Sequence, residues 1–62
     1  MEYKIISVNK NDYGELGLYE VIMKAQSELA RLVNEEIEKG WRPIGGVAYY
    51  QMYIISQTMI KG

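Results

Sequence analysis

The sequence contains no cysteine and no histidine. Disulfides are therefore impossible, and metal sites built on thiolate or imidazole ligands are excluded. The two side chains most used as nucleophile and general base near neutral pH are also missing, and no serine stands beside a recognisable base. We therefore predict a protein that is not an enzyme, with no catalytic residues, no metal and no cofactor.

The chain also lacks an excess of charge of one sign. Seven Lys or Arg oppose eight Asp or Glu, giving a net charge of -1, and no basic block is present. A nucleic-acid partner is not expected, because phosphate binding requires clustered cations. No apolar run approaches the roughly 18 residues of a membrane span, and no signal-peptide pattern opens the sequence. We expect no membrane association and a cytoplasmic location.

The chain is also short for an independently stable domain. The 62 residues form one small α+β domain, residues 1–62. A chain of about this size buries only about 60% of its unfolded surface, while ordering costs roughly 1.5 kcal/mol per residue. Since disulfides and the usual metal sites are excluded, a partner chain is the remaining source of stability. The sequence therefore predicts a homo-oligomer.

Three segments have the sequence pattern of β-strands. Residues 2–8 read as a strand, 44–49 as a second strand and 52–61 as a third. Between them, apolar residues recur at helical spacing from Leu18 onward, which predicts a helix over 18–39. A helix that starts at Ser27 as its N-cap is the alternative. We favour the longer helix because its apolar stripe passes through Ser27 without a break.

These elements predict the order β-α-β-β. The third strand is the most apolar, so we expect it to be central and antiparallel to both others, with Leu29, Val33 and Ile37 of the helix packed on it. Both faces of that strand carry large apolar groups, whereas one helix covers only one face of a sheet. The other face or the sheet edges are therefore predicted to mediate self-association.

The stretch from Gly40 to Val47 links the helix to the second strand. Gly40 after Lys39 is typical of a helix end, Pro43 suits an edge strand, and the Gly45–Gly46 pair favours a bulge. Trp41 and Arg42 have two interpretations: a ligand platform, or an apolar lid on the core beside a solvated guanidinium. We favour the lid.

Six tyrosines and no phenylalanine stand out in the composition. Tyrosine suits interfaces and wet pockets, although ordinary cross-strand pairing is an equal alternative. A buried Gln57 would need hydrogen-bond partners, and the acids at 35, 36 and 38 read as a solvated helix face. The candidate interface residues are Tyr50, Tyr53, Ile55 and Met59. The candidate ligand-binding residues are Trp41, Arg42, Tyr49 and Gln57.

Several short motifs resemble one family of bacterial and phage proteins, the domain-of-unknown-function family numbered 1737. The matching residues are Tyr3-Lys4, Val33-Asn34, Gly40-Trp41, Pro43, Gly45-Gly46-Val47, Gln57 and Lys61. The sequence departs from the family pattern in its long 9–23 stretch and at Thr58, where alanine is common. The family has no established activity, so the resemblance implies a fold more than a function.

Together these observations predict a small oligomeric binding or interaction protein without enzymatic activity. One alternative, which draws on the phage side of the family, is a protein that sequesters a small anionic or nucleotide-derived ligand at subunit junctions. A second alternative is a subunit or accessory factor of a larger complex.

Overall fold

A three-stranded antiparallel sheet carries one helix on one of its faces. The computed structural model describes residues 1–10, 17–50 and 54–62, without the side chains at 18 and 50. The sheet order is β1-β3-β2, so the predicted α+β fold with the order β-α-β-β is confirmed. The elements are β1 (Glu2–Asn9), α1 (Leu18–Glu38), β2 (Arg42–Tyr50) and β3 (Ile54–Lys61).

The last strand is central, as predicted. β3 pairs antiparallel with β1 from Glu2↔Lys61 to Asn9↔Ile54, and antiparallel with β2 on its other side. β2 begins at Arg42, two residues earlier than predicted, because Arg42 and Pro43 already pair with β3. Pro43 therefore lies on an edge strand, as expected. The predicted strand residues 52–53 lie outside the described residues.

Strand alternation decides which side chains meet the helix. Val8 pairs with Ile55, and together with Ala25 and Leu29 they form the core cluster, against which Ile6, Leu32 and Val33 pack. The even positions of β1 and the odd positions of β3 thus face α1. The opposite set forms the open sheet face, the face that α1 does not cover.

The apolar side chains of α1 become more exposed towards the C-terminal end of the helix. Leu29 is 3% exposed, Val33 is half-buried and Ile37 is 46% exposed. The predictions for Leu29 and Val33 are confirmed, whereas the core position predicted for Ile37 is wrong. Eight residues make about 2.2 helical turns, so Ile37 is rotated by roughly 80° from Leu29.

The helix begins at Leu18, as predicted, and the alternative start at Ser27 is wrong. Gly17 is the N-cap in an extended conformation, without a side-chain cap hydrogen bond. Val21, Ile22 and Ala25 are already half-buried or buried. Packing of this first apolar stretch therefore fixes the start of the helix in place of a side-chain cap.

The other helix end is a Schellman motif. The Trp41 N–H donates to the Glu36 carbonyl and the Gly40 N–H to the Ile37 carbonyl, each at 3.0 Å. These bonds require a left-handed residue after the C-cap Lys39, and Gly40 has φ 97°. The chain reverses here and leads directly into β2.

A bulge interrupts β2, as the glycine pair predicts. Ile44 pairs with Thr58 and Ala48 with Ser56, so three residues of β2 stand opposite the single residue Gln57. Gly45 takes φ 68° within the bulge, a conformation that strongly favours glycine. The bulge bends the strand where it passes the helix.

Among the described residues, no helix combines the length and the apolar character needed to cross a membrane.

Replacing Gly40 by alanine should lower the free energy of unfolding by about 1 kcal/mol, because an L side chain is strained at positive φ. Gly46→Ala is the matched control: Gly46 has no positive φ and open space where the Cβ would stand. Its effect should stay within about 0.5 kcal/mol. Urea unfolding of the two variants beside the parent measures both, and equal losses would contradict the role of Gly40.

Candidate functional site

The four candidate ligand-binding residues occupy three places in the fold. Tyr49 and Gln57 line a groove between α1 and β2. Trp41 lies at the helix end, beneath two lysines. Arg42 is exposed and pairs with Ile60, on the open sheet face. Within one chain, the structure therefore brings together Tyr49 and Gln57 and leaves Trp41 and Arg42 apart from them.

Gln57 is buried, with 6% of its surface exposed. Its Nε2 donates hydrogen bonds to the carbonyl oxygens of Ile44 at 2.9 Å, Gly45 at 3.3 Å and Thr58 at 3.1 Å. Two of these carbonyls belong to the bulge, where strand pairing is interrupted. The amide thus provides the donor that the bulge would otherwise lack, which meets the expectation that a buried Gln57 needs partners.

The groove has a volume of about 500 Å³. Its walls are mainly apolar, and its polar side chains are amides and a phenol. The apolar lining residues are Leu29, Ala30, Val33, Pro43, Val47 and Ile55, and the polar ones are Gln26, Tyr49 and Gln57. A volume of this order and a mainly apolar lining with a few polar groups are typical of sites for small molecules.

Tyr49 connects both sides of the groove at its mouth. Gln26 Nε2 on the helix donates to Tyr49 Oη at 3.1 Å. Lys10 Nζ lies 5.0 Å from the centroid of the same ring, and Lys10 is only 8% exposed. Lys10 follows directly after β1, and it continues the even-numbered positions at which Ile6 and Val8 face inward. That spacing is the signal in the sequence that could have identified it.

A second cluster joins the helix end to the sheet. Lys4 Nζ lies 4.3 Å from the centroid of the Trp41 ring, and Lys61 Nζ lies 5.8 Å from it. Lys4 also forms an ion pair with Glu36, and Lys39 Nζ approaches Glu36 at 3.5 Å. Trp41 is half-buried. The indole therefore stands at the corner predicted for a lid, with cations placed for cation–π contact.

Glu36 corrects the prediction of a solvated acidic face. Its side chain is only 16% exposed, whereas that of Glu35 is 48% exposed and pairs with Arg31. Glu36 follows Leu29 by seven residues, or about two turns, so it points to the same side of the helix. The Lys4 ammonium, which donates a hydrogen bond to Glu36, lowers the pKa of this carboxyl from its ordinary value.

Two candidate interface residues are in fact core residues. Ile55 is 1% exposed and Met59 is 0% exposed, because the odd positions of β3 face the helix. Their prediction as interface residues is wrong for the folded chain. The side chain of Tyr50, and Tyr53 as a whole, lie outside the described residues.

The open sheet face presents different apolar residues. Tyr3 is 66% exposed, Ile5 67% and Ile44 38%. The sequence interpretation did not single out these three, although Tyr3 and Ile5 share the odd positions of β1. The missing information was which set of β1 positions the helix covers.

Comparisons with family models, curated proteins and solved structures find no match to this chain. The resemblance to family 1737 therefore stays a prediction. Within residues 1–10, 17–50 and 54–62, no three His, Cys, Asp or Glu side chains are placed to hold a metal ion.

The Lys4–Glu36 pair predicts a specific dependence of stability on pH. Since the folded pKa of Glu36 is lowered, the pair stabilises the fold above the unfolded pKa of about 4.3, and this contribution is lost as pH falls through the folded value. Glu36→Gln should therefore reduce the loss of stability between pH 7 and pH 3.

Glu38→Gln is the control, because Glu38 is exposed and forms no ion pair among the described residues. It should keep the steeper pH dependence of the parent. Urea unfolding of the three proteins at each pH tests this, and identical slopes for the parent and Glu36→Gln would refute it.

Proposed function

We propose that this chain is an interaction protein without enzymatic activity that works as a homo-oligomer, with its open sheet face packed against that of a second copy. The observation that supports this most directly is the exposure of Tyr3 and Ile5, each about two-thirds exposed, on a face that no element of the described chain covers. An uncovered apolar sheet face marks an interaction surface.

The composition of the open face suits contact with the same face of a second copy. Its inner cross-strand rows are apolar or carry hydroxyl groups, Arg42 at one rim is the charged residue among the described rows, and Asn9 lies at the other rim. The described rows are Tyr3–Ile60–Arg42, Ile5–Thr58–Ile44, Ser7–Ser56–Ala48 and Asn9–Ile54. Two such faces can pack about 10 Å apart, as in β-sandwiches, without burying like charges near the centre.

The limited core gives a reason for such pairing. The buried apolar side chains of the described residues are Val8, Ala25, Leu29, Ile55, Met59 and Ile60. A domain of about this size buries only about 60% of the surface that its unfolded chain exposes, less than larger domains bury. Covering the open face with a second copy would extend the core through the sheet and stabilise both chains.

Replacing Ile5 by lysine should dissociate the oligomer, because it places a charge in an inner row of the interface. Sedimentation at micromolar concentration should show an oligomer for the parent and a folded monomer for the variant, with circular dichroism confirming the fold. Met23→Lys is the matched control, since Met23 is 49% exposed on α1, and it should sediment like the parent. A monomeric parent, or an Ile5→Lys variant that remains oligomeric, would exclude this interface.

A cationic corner supports the second candidate, a protein that sequesters a small anion at subunit junctions. Lys61 forms no ion pair among the described residues and lies beside the Trp41 ring, whereas Arg42, which also forms none, lies on the open sheet face. An aromatic surface next to an ammonium group without an ion pair suits an anion with a planar group. Chromatography of material released from purified protein by denaturation should recover the anion unchanged. Recovery of converted product would indicate an enzyme instead.

A further inference from the structure

We propose that the groove between α1 and β2 is a binding site for a small neutral aromatic molecule that carries one hydrogen-bond donor, such as a phenol. The donor would bind Gln57 Oε1 at the base of the groove. This site is on the helix side of the sheet, so the inference does not depend on assembly through the open face.

The first support is an unused acceptor. The three carbonyls around Gln57 Nε2 fix the orientation of the amide, because the oxygen in that place would face three other acceptors. No donor among the described residues reaches Oε1. Oε1 is thus an acceptor whose hydrogen-bonding capacity is left to solvent or to a ligand.

The groove gives that acceptor its access to a ligand. No fully buried polar side-chain atom of the described residues lacks a partner, so Oε1 retains contact with solvent although Gln57 is 94% buried. Gln57 lines the groove, and the proposed ligand reaches Oε1 from there. A hydrogen bond formed there would be shielded from water and would select for a donor.

The lining sets the remaining chemistry of the ligand. None of the nine lining side chains is charged, and the Lys10 ammonium lies beside the Tyr49 ring, so an ionic group next to Gln57 would lose its hydration without a charged partner there. The walls are helix residues such as Leu29 and Val33 on one side and strand residues such as Pro43 and Val47 on the other. A slot between two apolar walls favours a flat ring, and about 500 Å³ lies in the range of small-molecule sites.

The test uses 2-naphthol and its methyl ether, 2-methoxynaphthalene, titrated into ¹⁵N-labelled protein. The two probes share the same rings, but only the naphthol has a donor. We expect 2-naphthol to shift the side-chain amide signals of Gln57 and the backbone signals of Val33 and Val47 in a saturable manner. The ether should bind about tenfold more weakly, because it leaves Oε1 without a partner.

Two helix variants locate the site. Ala30→Phe fills the groove from an exposed lining position and should abolish the shifts, whereas Lys24→Phe adds the same ring at an exposed position outside the groove and should preserve them. Equal affinity for the two probes, no saturable shift at the groove, or undiminished binding by Ala30→Phe would each overturn the proposal. If the protein binds 2-naphthol but sediments as a monomer, the groove proposal is supported and only the proposed oligomer is contradicted.

Discussion

The structure depends on the helix being narrower than the three-stranded sheet on which it packs. An α-helix with its side chains is about 10–12 Å across, whereas three strands spaced about 4.8 Å apart, with their own side chains, are wider. The core cluster draws on α1, β1 and β3, with no residue of β2 among its described members. The helix thus lies over β1 and β3, and the groove beside β2 is the space that remains.

The two ends of the helix are held to the sheet by different chemistry. At the C-terminal end, the Schellman motif turns the chain and brings Glu36 and Trp41 within reach of Lys4 on β1. Toward the other end, Tyr49 receives a hydrogen bond from Gln26 and lies beside Lys10. The apolar contacts lie between these two sets of polar contacts. A small core alone would specify the position of the helix along the sheet only weakly, and the polar contacts at both ends fix that position.

The features predictable from the sequence are those that local patterns determine. The helix stripe, Gly40 after Lys39 and the glycine pair near Pro43 each specify their own structure, and the two apolar faces of β3 specify its central place. What the sequence did not reveal depends on where the helix packs. The face that it covers decides that Ile55 and Met59 are buried while Tyr3 and Ile5 are exposed, and its lateral position on that face brings Glu36 to Lys4 of β1. The lateral position also leaves the groove that Gln57 lines, and no periodicity in the sequence encodes that groove.

The bulge in β2 also makes the two edges of the sheet unequal. β1 offers an unbroken outer edge from Glu2 to Asn9, whereas β2 is interrupted between Ile44 and Ala48 and contains Pro43, which has no N–H to donate. Fibril growth by strand addition needs two competent edges on every molecule. Copies that join through β1 would leave only interrupted edges outermost, so edge-wise growth ends at two chains. The interruption of β2 would therefore work against amyloid-like polymerisation of so small a chain.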